Sequence, residues 1–450
     1  MAALPIMTVS GIRGIVGETL TPDFCYTIAF LQTKLAGGGT IVIARDTRPS
    51  GPMLAAPIMN GIRDGGGTPL DIGIAPTPTA CVAVRHFGAR GGVMITASHN
   101  PLPYNGYKMI HESGRLFTGS ECDAVYSAFA KSGIMPAAGR DDRARAGVKS
   151  ADAVGPHIDR ILTAVDASRI RKAGIRVAVD SINGAAGVIF PRLLERLGVQ
   201  WVGVHNKLDG DFVHNPEPRP EHLSDLSRLL ATTPGLWGGF VFDPDADRLA
   251  LMGEHGEPVT EELTLVLALE TILSRQKTPV ATNLSTSMMV DDVAKSFGVR
   301  VVRTKIGEAN VVEGMMKNGC EAGGEGNGGV IYPAVSTVRD GPLGMALICD
   351  LMAETGRTIT QCASRWPNYA IVKEKIPVTG DPRAIIARLT ADFAGDPQAT
   401  IDVQDGLKII TPDGWVHIRP SNTEPILRCY AEALTDTRAR DLAAMVMGKI

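Results

Sequence analysis

Three aspartates at alternating positions crowd one short loop in the run Phe242-Asp243-Pro244-Asp245-Ala246-Asp247-Arg248. Carboxylates this close repel one another unless a cation neutralises them. A donor set of oxygens alone, without His or Cys, suits a hard ion, Mg²⁺ before Zn²⁺. A calcium loop also begins with acids at i, i+2 and i+4, but it needs Gly at its sixth position, where this chain has Arg248. The plain alternative is an exposed acidic turn with no chemistry. Apolar runs flank the loop, Gly238 to Phe242 before it and Leu249 to Met252 after it, and both read as strands.

A second group lies at residues 92–101, GVMITASHNP. Val93-Met94-Ile95 reads as a buried strand that stops at Thr96-Ala97-Ser98-His99-Asn100-Pro101, closed by an Asn-Pro loop signal. Ser98 is thereby a hydroxyl held just past the end of a core strand, where open α/β sheets bind ligands. A lone Ser-His pair is ordinarily a loop serine that caps its neighbours, so its weight depends on what else the chain carries.

Two further loops add to it. Residues 323–329, GGEGNGG, hold five glycines with Glu325 and Asn327 as the only side chains. Such a backbone can approach a ligand closely, and the two polar groups suit a hydroxyl-rich small molecule. No Gly-Lys-Ser/Thr follows, so it is not a nucleotide P-loop. Arg419-Pro420-Ser421-Asn422-Thr423, with Arg428 shortly after, combines a planar guanidinium with neutral donors, good chemistry for a phosphate dianion. Arg13 in Ser10-Gly11-Ile12-Arg13-Gly14, and the run Arg45-Asp46-Thr47-Arg48, also put arginines at strand ends or turns; each alone reads as a surface arginine.

The elements that must position these loops repeat. Thr40 to Ala44, a polar loop, a helical segment to Arg63, a glycine run and Pro69 to Ile72 form one unit. Ile175 to Val179, a helical segment Val188 to Leu197, Gly198 and Val199 to Val204 form a second. Thr278 to Thr282, Met288 to Phe297, Gly298 and Val299 to Val302 form a third. Each is strand, polar loop, helix, glycine stop, strand, which predicts three duplicated α/β domains. The tail differs: strand Tyr369 to Ile376, helix Pro382 to Phe393, a hairpin through Thr411-Pro412-Asp413-Gly414, strand Leu427 to Glu432 and a last helix Thr437 to Lys449, a C-terminal α+β domain. The expected domains are 1–150, 151–255, 256–368 and 369–450, with the polar stretch Ala137 to Lys149 as a linker.

Composition narrows the class. At 450 residues the chain exceeds a single ordinary core. A formal charge of −3 offers no basic field for nucleic acid. No apolar run approaches the roughly 20 residues of a membrane helix, and Met1 to Met7 shows no signal-peptide pattern. Seven cysteines with no C-x-x-C pair read as reduced thiols in a cytoplasmic compartment.

With the serine, triple-aspartate, glycine-rich and arginine loops in that order, one per domain, the whole chain resembles the α-D-phosphohexomutase superfamily. That superfamily includes phosphoglucomutases, phosphomannomutases and phosphoglucosamine mutases, and TASHNP is its most specific run here. The resemblance implies mixed sheets arranged around a central cleft, with a monomer or homodimer acting on a small sugar phosphate and no nucleic-acid or membrane partner. It implies Ser98 as the phosphoryl donor. Asp243, Asp245 and Asp247 would be Mg²⁺ ligands, the site being completed at Ser98. Arg13, Lys108 and Arg248 would be catalytic. Glu325, Asn327 and Lys305 would lie at the sugar, and Arg419, Ser421, Asn422, Thr423 and Arg428 at the substrate phosphate. The implied reaction interconverts hexose 6- and 1-phosphates through a hexose 1,6-bisphosphate that is both intermediate and activator.

The chain also departs from the family pattern. Pro244 stands where Gly is common, and Asn327 and Gly329 stand where the sugar loop often has Ser and His. Thr304-Lys305-Ile306-Gly307-Glu308 is similar to the phosphoglucosamine mutase version, which puts glucosamine 6-phosphate first. Glucose or mannose phosphates are the alternative. A phosphatase using the same parts and a non-catalytic sugar-phosphate binding protein are the rivals.

Overall fold

All three repeated units fold as a parallel strand–helix–strand, because apolar strands feed amphipathic helices that a glycine can stop. The first is Gly39–Arg45, helix Gly51–Asp64 and Gly67–Ile74. The second is Arg176–Asp180, helix Phe190–Leu197 and Gln200–Val204. The third is Val280–Asn283, helix Met289–Phe297 and Val301–Thr304. Gly198 and Gly298 end their helices at φ 71° and 70°, left-handed values that glycine takes without a Cβ clash. These facts come from a computed structural model that describes residues 4–137, 148–378, 380–396, 399–421 and 426–450. Most of the expected linker Ala137 to Lys149 lies outside the described residues.

One expected helix is shorter than its sequence pattern. Ala185–Val188 forms a 3₁₀ turn, and the α-helix begins only at Phe190. Pro191 has no N–H to bond backwards, so it is accommodated in the first turn of a helix and not in the interior of one starting at Val188.

Four sheets result. The first has seven strands, with Gly91–Ile95, which leads into Ser98, between Tyr104–His111 and Gly39–Arg45. Tyr104–His111 and Gly11–Ile15 run antiparallel, so the sheet is mixed and carries Arg13 and Lys108 on neighbouring strands. In the second, Gly239–Phe242 and Leu249–Met252 form an antiparallel hairpin whose tip is the aspartate loop. In the third, Ala322–Glu325 and Gly329–Ile331 form the hairpin of the glycine-rich loop. The fourth sheet, in the α+β tail, has five strands, all pairing antiparallel.

The repeats do not give three separate interiors. The second and third sheets share one continuous core, in which Val177 and Phe240 join Leu265, Val280 and Leu347. The first and fourth sheets have cores of their own. All seven cysteines are buried and unpaired. Among the described residues no helix is long and apolar enough to cross a membrane.

Candidate active site

Ser98 sits at φ 50°, a left-handed conformation uncommon for a residue with a side chain, and is 1 % exposed. The strain is held by hydrogen bonds. Its N–H donates to Thr96 Oγ1 at 2.9 Å, and Thr96 Oγ1 donates to Asp46 Oδ2 at 2.6 Å. Asp46 in turn accepts from Arg48 Nε at 3.0 Å. The Arg48 guanidinium also donates to the carbonyls of Ser98 (2.6 Å), Asn100 (2.7 Å), Pro101 (3.0 Å) and Tyr104 (2.9 Å). Arg48 is therefore no surface arginine: it is buried with Asp46 and shapes the serine loop.

That shaping aims the Ser98 hydroxyl at Asp243, whose Oδ2 it meets at 3.1 Å. Asp243 opens the tight aspartate turn, in which the Ala246 N–H donates to the Asp243 carbonyl at 3.0 Å and Ala246 takes φ 54°. Pro244 is accommodated, and its carbonyl accepts from the Ala185 N–H at 2.8 Å. All three aspartates are fully buried, and donor oxygens from each lie within 4.8 Å of one another. Asp245 Oδ1 and Asp247 Oδ1 are buried with no hydrogen-bond partner among the described residues. Orphaned carboxylate oxygens are costly without a cation, so this oxygen set fits a hard divalent ion.

The other oxygens of those two aspartates face cations of the protein. Lys108 Nζ donates to Asp245 Oδ2 at 2.7 Å and Asp247 Oδ2 at 3.1 Å, and Arg339 Nη2 donates to Asp247 Oδ2 at 2.6 Å. Burial alone would lower Lys108, but Asp245 and Asp247 outweigh it and keep the amine protonated. Burial would raise Asp247, but Arg339, Lys108 and Arg248 hold it down, whereas burial and its two neighbouring aspartates push Asp243 up. His99 is lowered to about 2 by Arg248, burial and Arg13, so it stays neutral.

Arg339 also joins this loop to the glycine-rich loop. Its Nη1 donates to Glu325 Oε2 at 2.9 Å, and its N–H donates to Glu308 Oε1 at 2.6 Å. Glu325 Oε1 accepts from Asn283 Nδ2 at 2.9 Å and the Gly307 N–H at 3.2 Å. The loop glycines serve protein contacts as much as ligand approach. A Cβ on Gly328 would fall 2.3 Å from the Leu249 carbonyl, and one on Gly326 would overlap the Glu262 carboxylate. The Gly328 carbonyl accepts from the Leu249 N–H at 3.0 Å, so the loop docks directly on the aspartate hairpin.

Above these groups is a cavity of about 890 Å³ that all four domains line. Ser98 and the three aspartates lie beneath its wall, while His99, Lys108 and Arg248, which touch them, face it. Arg13 lines it, donating to Asn100 Oδ1 at 3.0 Å, as do Glu325 and Asn327, whose Oδ1 is buried without a partner among the described residues. The fourth domain contributes Lys375, Arg428 and Arg419, directly opposed on three neighbouring strands and all facing the cavity. Like charges opposite one another destabilise a sheet, and an anion in the cavity would offset that repulsion. Burial lowers Arg419, and its Nε has no partner among the described residues. Ser421 adjoins the row, its N–H donating to the Ile426 carbonyl at 2.9 Å; Asn422 and Thr423 lie outside the described residues. Lys305 is exposed and does not line the cavity; its neighbours Ile306 and Gly307 do.

Sequence reasoning missed Arg339, Glu308, Asn283, Glu262 and Lys375. Arg339 precedes Asp340, the N-cap of helix Gly341–Thr355, and such a position carries no local mark of a bridge between two distant loops. Lys375 could have been found from strand pairing, since alternate residues of its strand share a face.

Comparison with known families covers nearly the whole chain. Residues 6–133 match the family described as phosphoglucomutase/phosphomannomutase, alpha/beta/alpha domain I. Residues 155–256 match domain II, 261–369 domain III and 371–449 the C-terminal domain of the same description. A phosphoglucomutase/phosphomannomutase of Thermococcus kodakarensis is 36% identical over 438 residues, covering 96% of this chain and 95% of that protein. A probable phosphoglucosamine mutase of Methanopyrus kandleri is 35% identical over 436 residues, covering 96% and 95%. The crystal structure of a phosphoglucomutase/phosphomannomutase family protein from Burkholderia thailandensis superposes with a TM-score of 0.85 at 26% identity, covering 98% of each chain.

Proposed function

The chain belongs to the α-D-phosphohexomutase superfamily and is a phosphosugar mutase, and from that premise we propose that it converts glucosamine 6-phosphate to glucosamine 1-phosphate through a phosphorylated Ser98. The observation that carries the assignment of roles is the Ser98 hydroxyl on Asp243, beneath a cavity whose far wall is a row of three cations.

Asp243, Asp245 and Asp247 would hold Mg²⁺ beside Ser98, and their unpartnered oxygens support that assignment. When bound, the ion would withdraw charge from the phosphoserine as a Lewis acid. The protein's own groups do the rest. A sugar hydroxyl attacks the phosphorus, the bond to the Ser98 oxygen breaks, and the hydroxyl proton passes to that oxygen. Lys108, held between Asp245 and Asp247, is the group placed to relay it. Arg248 and Arg13 face the transferring charge. The resulting hexose 1,6-bisphosphate turns over in the cavity and returns its other phosphoryl group to Ser98. Arg419, Ser421, Arg428 and the adjoining Asn422 and Thr423 grip whichever phosphate points away from Ser98, and Lys375 strengthens the same row. Arg419→Ala should raise KM roughly 10- to 100-fold, since a charge-assisted hydrogen bond is worth about 1.5–3 kcal/mol. Steady-state kinetics check it, and unchanged KM and kcat would contradict the role.

The amino sugar is favoured by the carboxyl groups of the cavity wall. Glu325 is already satisfied by Arg339, but Glu262, also in the wall, makes no ion pair among the described residues. Burial pushes it up to about 8. Glu262 therefore keeps its proton near neutral pH; a substrate ammonium beside it would draw that proton off and pair with the carboxylate, whereas a neutral hexose would offer no such pairing. The expected result is a kcat/KM for glucosamine 6-phosphate at least about tenfold above those for glucose 1-phosphate and mannose 1-phosphate, about 1.4 kcal/mol of transition-state discrimination. Glu262→Gln should narrow that gap. A tenfold advantage for either neutral hexose would reverse the substrate order and leave the mutase chemistry standing.

A further inference from the structure

Away from the cavity, the second domain gathers Asp180, His205 and His214, with donor atoms that all lie within 4.8 Å of one another. Asp180 ends strand Arg176–Asp180, and His205 follows the parallel neighbour Gln200–Val204, paired so that Asp180 faces Val204. The group thus stands at the carboxyl ends of two parallel strands, where open α/β sheets place ligands. His214 returns to it from the following loop.

Each donor is oriented by a second partner. Asp180 Oδ1 accepts from the Ile182 N–H at 2.8 Å, which turns Oδ2 toward the imidazoles. His214 Nδ1 lies 2.9 Å from the Asn215 carbonyl, which can only accept, so Nδ1 carries the proton. His205 Nε2 lies 3.2 Å from the Asp225 carboxylate, which accepts from it in the tautomer protonated at Nε2. In a neutral ring the remaining nitrogen is then a lone pair. His205 Nδ1 at 3.0 Å and His214 Nε2 at 3.2 Å both point such a pair at Asp180 Oδ2. In that arrangement three electron pairs converge, and either a proton on each ring, which Asp180 favours by raising both histidines, or a metal ion between the donors removes the repulsion. Outer hydrogen bonds that fix the tautomer of a ligating histidine are the usual support of a metal centre.

We propose that Asp180, His205 and His214 form a second metal site, for a borderline transition ion such as Zn²⁺. Two imidazoles and one carboxylate suit Zn²⁺ over Mg²⁺. Donors about 2.0–2.1 Å from a tetrahedral ion sit roughly 3.4 Å apart, so the 3.0 and 3.2 Å spacings from Asp180 to the two imidazoles would open only by tenths of an ångström. The two rings are mostly buried, at 16% and 11% exposed, and the edge they leave open would give the fourth position to water. His205 holds φ 51°, a left-handed backbone that such an anchor would maintain.

The site would pin the loop that follows His205. Within that loop Phe212 lies under the Arg48 guanidinium at 5.0 Å, the same guanidinium that holds the Ser98 carbonyl. Farther on, Glu217 and Arg219 line the cavity. The ion would thus tie the second domain to the serine loop from outside the reaction site, and this holds whichever sugar is the substrate.

The test is calorimetric titration of the metal-stripped full chain with Zn²⁺ in excess Mg²⁺, which keeps the aspartate loop filled. One Zn²⁺ should bind per chain, and His214→Ala and His205→Asn should each weaken it by about 100-fold or more. Asn suits the left-handed backbone at 205. Co²⁺ in place of Zn²⁺ should give visible absorption that both variants lose. Hydrogen exchange across residues 205–217 should slow on Zn²⁺ addition in the wild type only. Absence of stoichiometric binding would mean two protonated imidazoles in place of an ion and would overturn the proposal, as would binding that both variants leave intact. Binding without slower exchange would overturn the pinning of the loop.

Discussion

Ser98→Ala should lose at least about 10³-fold in kcat, because it removes a nucleophile and not a binding contact. The substitution deletes one hydroxyl whose protein partners are Asp243 Oδ2 at 3.1 Å and His99 Nδ1 at 3.4 Å. The backbone bonds that hold the loop, from the Ser98 N–H to Thr96 and from Arg48 to the Ser98 carbonyl, remain available to alanine. In the proposed binding mode substrate would still meet Arg419, Arg428 and Glu325, so KM should change little while kcat collapses. Steady-state assays with circular dichroism as a folding control measure both. Turnover near the wild-type rate would remove Ser98 from the mechanism.

Exhaustive chelation should abolish activity, and Mg²⁺ should restore it. Three fully buried aspartates face three cations, Lys108, Arg339 and, at 3.9 Å from Asp247 Oδ1, Arg248, and Arg339 is shared with Glu325 and Glu308. A phosphoryl group on Ser98 adds about −1.5 to −2 further charges at neutral pH. The protein alone cannot balance that total, whereas a divalent ion on Asp245 Oδ1 and Asp247 Oδ1 can. The expected residual rate is below about 1% of the Mg²⁺-loaded enzyme, a loss of several kcal/mol of charge stabilisation. Full activity in a preparation shown to be metal-free would contradict the role given to the three aspartates.

Much of this architecture can be read from residue order because its signals are local. The βαβ units show as apolar strands, helical spacing and glycine stops, and the aspartate turn and serine loop each fit within a few residues. What escapes sequence reading is non-local. Arg48 looks like a surface arginine until Asp46 and four carbonyls are seen to surround it. Arg339 links loops separated by 92 and 14 residues, and no spacing rule marks it. The shared core of the second and third domains depends on which helix faces meet, which repeat analysis does not address. Lys305 illustrates the opposite case: a charged residue inside a telling segment points outward, while the backbone beside it lines the cavity.

Phosphoryl transfer through Ser98 is the central step of the proposed reaction. Its most direct test is mass spectrometry of the peptide carrying Ser98 after incubation with a hexose 1,6-bisphosphate and Mg²⁺, followed by a chase with hexose 6-phosphate. One phosphoryl group should appear on Ser98 and then leave in step with formation of bisphosphate, with almost none released as inorganic phosphate. Mutase turnover while Ser98 stays unmodified, or loss of its phosphoryl group to water alone, would contradict it.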